Sequence, residues 1–359
     1  MRFIHTADVH LGAVPEGRTE RSEELWRTFE ALVGYCGTQK VDLLLIAGDL
    51  FHKSPALREL REVADLFCRI PQTKIVMIAG NHDYVDETAA ALHFVWPEHV
   101  TMLPAGKISS VYFEELNTEV YGYSYEKPHI KEAVFDELKP QHEERINLLL
   151  AHGNAYAKAD DYIPIDREKL AKARFDYVAL GHIHKAEKFS ERMAYCGSLE
   201  PLDRSEYGVH GCILGELQGK RDESGKETTL RTTFLGCAGR EYKRLSYALT
   251  PESSVSALRQ EVKKQIMLHG MQHFYTVVLC GKRGADWYLP EGGLADITQV
   301  IAVEDESKPF YDVEEMIKEN RLAAAFVQQL EKQELSAEEK EKALHYGLNA
   351  LQTAAGGVV

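Results

Sequence analysis

Lys74-Ile75-Val76-Met77-Ile78-Ala79-Gly80-Asn81-His82-Asp83 decides the fold. An apolar, β-branched run that breaks at a glycine into metal-ligand side chains reads as a buried strand with chemistry at its C-terminal end. The same junction recurs through the first half of the chain. Ile4 leads into Asp8-Val9-His10, residues 43–46 into Gly48-Asp49, and residues 148–150 into His152-Gly153. More weakly, residues 177–180 lead into Gly181-His182-Ile183-His184. One such junction is chance; five in register with five strands are not. Between them lie helical stripes, Leu25, Phe29, Leu32 and Val33 in one and Leu57, Leu60, Val63, Ala64 and Phe67 in another. This alternation predicts an α/β domain with a largely parallel core sheet and its ligands along one edge.

Oxygen and imidazole donors without thiolate suit Mn²⁺, Fe²⁺ or Zn²⁺. Two adjacent ions need a bridging carboxylate, and Asp49 has two oxygens to give. Asp8, His10 and His184 would complete one site, and Asn81, His152 and His182 the other. Two such ions activate water and polarise a phosphoryl oxygen for in-line attack. His82, beside Asn81, is better placed as a general acid or as a donor to the leaving oxygen, with Asp83 to orient it. Glycines before Asp49, Asn81 and His182 permit tight strand-to-loop turns.

The bulk composition sets outer limits. At 359 residues there is room for two domains and a tail, and 44% hydrophobic with 27% charged residues is ordinary for a soluble globular chain. No apolar run approaches the roughly 20 residues of a membrane span. Met1-Arg2-Phe3-Ile4-His5 runs straight into the first ligand junction, so the expectation is no signal peptide, a cytoplasmic location and no membrane partner. Six cysteines without a CxxC spacing are expected to be buried, reduced thiols, with Cys196 alone near the site. A net charge of −14 argues against loose, charge-driven binding to nucleic acid, although part of it belongs to the metal ligands.

Three regions are expected: residues 1–236, 240–306 and 310–359. In the first, residues 193–196 and 209–217 read as antiparallel strands completing a second sheet, and residues 218–229 as a hairpin loop before a strand at 231–235. The second reads β-α-β. Strands at 242–249, 274–280 and 297–303 accompany a helix opened by Thr250 and Pro251, with Val255, Leu258, Val262 and Ile266 on its apolar face. The third is helical, with a stripe of Val313, Met316, Ile317, Ala324, Val327 and Leu330, and Ser336 to Glu339 as a capping box for a second helix. Those helices either pack on their own domain or meet a partner. His93, His99, His129, His142, His210, His269, His273 and His345 are assigned to the surface or to hydrogen-bonded core positions, and Asp160-Asp161 to a solvated loop. Lys53, Arg58, Arg61, Lys158, Lys185 and Arg204 could line a phosphate path.

The order DxH, GD, GNHD, H and GHxH resembles the calcineurin-like metallophosphoesterase superfamily. The strings His5-Thr6-Ala7-Asp8-Val9-His10-Leu11-Gly12, Gly48-Asp49-Leu50-Phe51-His52 and Tyr195-Cys196-Gly197-Ser198-Leu199-Glu200-Pro201-Leu202 are similar to the narrower SbcD-like family of DNA repair exonucleases, its YhaO-type branch included. The resemblance is strong to about residue 215 and looser beyond; Cys196 stands where that family commonly has proline. It implies a four-layer α/β/β/α sandwich with a small β-α-β capping domain (240–306, DNA-binding) and a helical C-terminal tail (310–359, partner-binding). It also implies a Mn²⁺-dependent exonuclease and endonuclease acting on DNA ends, as a homodimer with an SbcC-like coiled-coil ATPase in a double-strand-break repair complex. The ligands and His82 carry over as assigned above. His52 carries over as a substrate contact, and Ser198 and Arg204 join it as substrate-binding candidates. Two alternatives stand beside this reading: a metallophosphodiesterase acting on a cyclic nucleotide or other small phosphoester, and a non-catalytic scaffold. Retention of every ligand and of His82 weighs against the scaffold.

Overall fold

Strands that precede the ligand junctions are buried on both faces, which is why they read as unbroken apolar runs. In the computed structural model, which describes residues 1–219, 228–284 and 286–356, β1 (Arg2–Thr6), β2 (Leu43–Ala47) and β3 (Lys74–Ile78) pair in parallel. With β4 (Val100–Met102), β11 (Gly211–Gln218) and β12 (Thr229–Gly236) they form a six-stranded sheet of order β12-β11-β1-β2-β3-β4. Side chains alternate across it with period two. Leu44, Ile46, Ile75 and Met77 pack with Phe29, Leu32 and Val33 of α1 (Thr19–Thr38) and Leu60, Val63 and Phe67 of α2 (Leu57–Phe67). Phe3, Leu43, Leu45 and Val76 point the other way, onto Val120, Leu148, Leu150, Tyr177 and Ala179.

Those last residues belong to a second six-stranded sheet. It comprises β5 (Ser109–Phe113), β6 (Thr118–Gly122), β7 (Ile146–His152), β8 (Tyr177–Gly181), β9 (Glu187–Ser190) and β10 (Met193–Tyr195), in the order β5-β6-β7-β8-β10-β9. β6, β7 and β8 run parallel. The sheet's far face, Leu149, Ala151, Val178 and Leu180, is covered by Phe135, Ile163, Ile165, and Leu170 of α3 (Arg167–Lys172). Residues 1–242 are thus mixed α/β, two mixed sheets packed on each other with helices outside.

The expected completion of the second sheet needs correcting. β10 pairs in parallel with β8 and antiparallel only with β9. β11 leaves for the first sheet and lies antiparallel on β1, Ile4 opposite Leu214. Gly215 makes that approach possible, because a Cβ there would stand 2.0 Å from the Phe3 ring. Most of the expected hairpin loop lies outside the described residues; its flanks pair Gln218 with Thr229.

A second compact unit spans Lys243–Val359. Its sheet has the order β13-β14-β15, from β13 (Tyr242–Leu249), β14 (Phe274–Arg283) and β15 (Val300–Asp305), and β16 (Lys308–Pro309) also pairs with β14. The β14–β15 and β14–β16 pairs are parallel. α4 (Val255–His269) lays Leu258, Val262 and Ile266 against Tyr275, Val277 and Leu279. It opens later than expected. Ser254 is the cap, accepting the Ala257 N–H, while Thr250 donates its N–H to Ser253 Oγ in a turn ahead of the helix. The helical end comprises α5 (Val313–Glu319), α6 (Arg321–Glu331) and α7 (Ala337–Gly356). Asn320 divides the expected single stripe by capping Leu322 and Ala323, and Ser336 with Glu339 forms the capping box of α7. Among the described residues no helix is long and apolar enough to cross a membrane.

Candidate metal centre

The loops that follow β1 and β2 run side by side. Asp8 N–H donates to the Gly48 carbonyl at 3.1 Å, His10 N–H to that of Asp49 at 3.0 Å, and Leu11 N–H to that of Leu50 at 2.9 Å. To present their side chains at the strand ends, Asp8, His10 and Asp49 take left-handed backbones with φ of 50°, 52° and 50°, and His182 takes 98°. Non-glycine residues rarely sit there, and strain gathered at four candidate ligands is the mark of a functional site. Close approach explains the glycines beside them. A Cβ on Gly48 would lie 2.3 Å from His152 Nδ1, and one on Gly80 2.2 Å from Asp49 Oδ1.

Asp49 stands at the middle. Its Oδ1 accepts the His82 N–H at 2.9 Å, which leaves Oδ2 facing His152 Nε2 at 3.3 Å and His10 Nε2 at 3.8 Å. On one side His10 Nε2 and His184 Nε2 are 3.2 Å apart, with Asp8 Oδ1 4.0 Å from His184 Nε2. On the other, Asn81 Oδ1 lies 3.0 Å from His152 Nε2 and 3.1 Å from His182 Nδ1. Asp8 accepts the His182 N–H on both oxygens, tying the fifth junction to the first.

Burial and charge oppose each other here. Burial, the largest influence, lifts the Asp8 carboxyl to about 6. It also pushes Asp49 upward, but His152, His10 and His82 together hold Asp49 below the usual carboxylate range. Burial disfavours charge on His152, yet Asp49 and Asp8 raise it to about 9. His184 reaches about 9 as well, where Glu206 and Asp8 outweigh burial. His182, dominated by burial, falls to about 3.

The donor set fits divalent ions. Ligand atoms of Asp8, His10 and His184 lie within 4.8 Å of one another, as do those of Asp8, Asp49 and His152. Nitrogen and oxygen donors about 2.0–2.2 Å from one ion are separated from each other by no more than about 4.4 Å, so small adjustments bring either group onto an ion. Clusters of this kind, histidine with shared aspartate, are typical of a dimetal phosphoesterase centre. His10, His52 and His82 form a third group of the same span.

The remaining predicted residues fall in different places. His82 is exposed, its Nδ1 3.1 Å from the His52 carbonyl, and its ring stacks on that of His52 at 5.3 Å. Asp83 does not serve as its partner. Its oxygens accept the N–H groups of Phe51 at 3.1 Å and Gly80 at 2.7 Å, and burial lifts its carboxyl to about 7. A short buried side chain placed just after the turn satisfies two backbone donors that would otherwise be orphaned, and so pins the second junction to the third. Ser198 is buried, with its hydroxyl 2.8 Å from His210 Nδ1 and 3.3 Å from Glu206 Oε2, so it faces the protein and not a substrate. Arg204 is exposed, its N–H on Glu16. Arg58 is engaged by Glu62 one helical turn on. Cys196 is buried between the sheets, whereas Cys68 is exposed.

Two residues at the site carried no sequence signal. Glu206 accepts from His184 Nδ1 at 2.7 Å from a loop with no strand before it. Tyr162 lays its ring 4.8 Å from that of His182.

Comparison with known proteins follows the same residues. A family model described as calcineurin-like phosphoesterase matches residues 1–186. The chain is 31% identical over 223 residues to the DNA double-strand break repair protein Mre11 of Methanocaldococcus jannaschii, covering 58% of each. It is 26% identical over 233 residues to the uncharacterized metallophosphoesterase YhaO of Bacillus subtilis, covering 60% of this chain and 57% of YhaO. With the SbcD component of the nuclease SbcCD from Bacillus subtilis it shares 27% identity over 258 residues, covering 58% of this chain and 64% of that one. It thus spans less than two thirds of the length of each of these relatives.

Proposed function

The chain belongs to the calcineurin-like phosphoesterase family, and from that premise we propose that it is a two-metal DNA nuclease of the Mre11 and SbcD kind. The observation that carries the reading is the convergence of the five strand-end junctions, the first, third and fourth meeting the second at Asp49 and the fifth tied in through Asp8 and Asn81, with His82 exposed beside them. Asp8, His10 and His184 would hold one divalent ion and Asn81, His152 and His182 the other, with Asp49 shared. Mn²⁺ is the ion proposed first, and Fe²⁺ or Zn²⁺ suits the same donors. Once bound, such ions supply a nucleophile at neutral pH and neutralise charge on the phosphoryl oxygens.

The side chains do the rest. Asp49 Oδ1 holds the His82 backbone, which sets that ring over the site. The His52 carbonyl accepts a hydrogen bond from His82 Nδ1–H, which leaves Nε2 turned outward to protonate a leaving oxygen. His52, stacked on His82 and exposed, is placed to meet the substrate; Arg204, exposed as well, remains a candidate contact. Further along the same reading, the sheets and their covering helices form the family's four-layer sandwich. Residues 240–306, the counterpart of the family's capping domain, contact DNA, while residues 310–359 offer a surface to a coiled-coil ATPase of the SbcC kind. The working form is a cytoplasmic homodimer acting on DNA ends, as exonuclease and endonuclease.

Net charge of −14 favours a second reading, a phosphodiesterase for a cyclic nucleotide or other small phosphoester, since a polyanion is repelled where a small ester is not. Mn²⁺-supported hydrolysis of linear duplex DNA, run beside bis-p-nitrophenyl phosphate, separates the two. The nuclease reading expects both to be cleaved. Turnover of the small ester with no cleavage of DNA at any salt concentration would sink it.

A further inference from the structure

A metal-bound imidazole that ligates through one nitrogen must keep its proton on the other, and a carboxylate facing that second nitrogen fixes the choice. His184 presents Nε2 to the site, 3.2 Å from His10 Nε2, and turns Nδ1 onto Glu206 Oε1 at 2.7 Å. We propose that Glu206 is the positioning residue of this centre: its Oε1 accepts the hydrogen bond from His184 Nδ1–H and so holds Nε2 as the ligating nitrogen. The proposal rests on reading the histidine and aspartate clusters as a metal centre.

Glu206 is itself held. Its Oε2 accepts the Leu202 N–H at 2.9 Å and the Ser198 hydroxyl at 3.3 Å. Ser198 Oγ meets His210 Nδ1 at 2.8 Å, and His210 Nε2 lies 3.2 Å from the Glu206 carbonyl, which closes a ring of contacts around the carboxylate. The same loop is anchored to the ligand it serves, for Ser198 N–H donates to the His184 carbonyl at 2.9 Å. A surface ion pair held by two mobile side chains is worth little. This one is different, because the side chains are only 26% and 14% exposed and each oxygen of Glu206 has its own partners. An arrangement fixed from both sides sets direction, which is what a ligand needs and a stray ion pair lacks. It also gives the buried Ser198 and His210 a role: they keep Glu206 in place.

The test measures metal binding by the full chain, stripped of metal and titrated with Mn²⁺ against a chelating dye, with the unfolding temperature of the metal-free protein alongside. The variants are Glu206→Gln and Glu206→Ala. Glu206→Gln keeps the shape but has one oxygen where two sets of donors wait, and Glu206→Ala has none. The parent is expected to bind two ions. One of the two steps should weaken about 10-fold in Glu206→Gln and about 100-fold in Glu206→Ala, with the other step and the unfolding temperature nearly unchanged. Parent-like affinity at both steps in Glu206→Gln overturns the proposal. So does equal weakening of both steps with a lowered unfolding temperature, which marks a loop strut. If Glu206→Ala fails to fold, Glu206→Gln decides alone. A parent that binds no Mn²⁺ overturns the metal centre itself, and the proposal with it.

Discussion

His82 bonds to Asp49 Oδ1 through its backbone N–H, while its exposed ring stands against the His52 carbonyl and edge-on to the His10 ring at 4.8 Å. Removing the ring should therefore remove proton transfer and leave the ligands alone. His82→Ser is expected to lower DNA hydrolysis by about 10²- to 10⁴-fold with Mn²⁺ stoichiometry unchanged, checked by cleavage assays and metal titration on one preparation. Parent-like cleavage would show that another group protonates the leaving oxygen. His5 makes a different prediction. Wholly buried, it accepts from the Tyr177 hydroxyl at Nδ1 and donates from Nε2 to the Leu180 carbonyl, and burial pushes it from 6.5 down to about 3. As pH falls below 6.5 the unfolded chain takes up this proton while the folded chain refuses it. Stability is therefore full above 6.5 and lost between 6.5 and about 3, with a limiting slope of about 1.4 kcal/mol per pH unit. Urea midpoints of the parent and His5→Gln over that range should show a steeper acid loss in the parent; equal slopes would mean His5 is protonated when folded. The residues legible in the sequence are those whose spacing is itself the signal, such as His-x-His after a strand. Asp83 misled because adjacency to His82 suggested a partnership that the backbone N–H groups of Phe51 and Gly80 pre-empt. Glu206 was invisible because nothing local in Asp203-Arg204-Ser205-Glu206 says that the chain returns to His184.

At the level of elements, the parallel strands were readable because burial on both faces leaves no polar residue to interrupt the run, as in β2 with Leu43, Leu44, Leu45 and Ile46. What the run does not encode is which sheet receives it. β11 alternates well enough to have joined either sheet, and Gly215 decides, since only there can the strand pass over the Phe3 ring. The same ambiguity moved the start of α4: Thr250-Pro251 has the chemistry of a helix opening, but Ser253 captures the Thr250 N–H and the turn is used up before Ser254 caps the helix. Gly215→Val puts methyl groups where the Phe3 ring lies, so β11 must shift or the ring must move. A loss of about 1–3 kcal/mol in urea unfolding is expected, as for other overpacked cores. Because β1 leads directly into Asp8 and His10, Mn²⁺ affinity should fall with it. Unchanged stability would show that β11 can ride over Phe3 without the glycine.

For the molecule as a whole, charge is the property least reconciled with a nucleic-acid substrate. The formal charge is −14, and two divalent ions leave it acidic. DNA binding that draws on phosphate contacts weakens with salt in proportion to the number of contacts, with a slope of about −0.9 per phosphate neutralised. A chain with 42 Lys and Arg against 56 Asp and Glu has few contacts to spare. Some of its cations are also committed internally, Arg21 to Glu200 and Arg240 to Glu24. If this chain cuts DNA through its own surface, the KM for duplex should climb between 50 and 200 mM salt, by about 10-fold if two contacts are made. The kcat should hold, because the candidate ligands Asp8, His10, Asp49 and His152 are buried and salt screens them little. Bis-p-nitrophenyl phosphate, with one charge, should show almost no change in KM over the same range. Steady-state kinetics on both substrates at three salt concentrations decides the matter. A KM for DNA as flat as that for the small ester would mean that phosphate contacts on this chain contribute nothing, and that DNA must be delivered to the site by a partner.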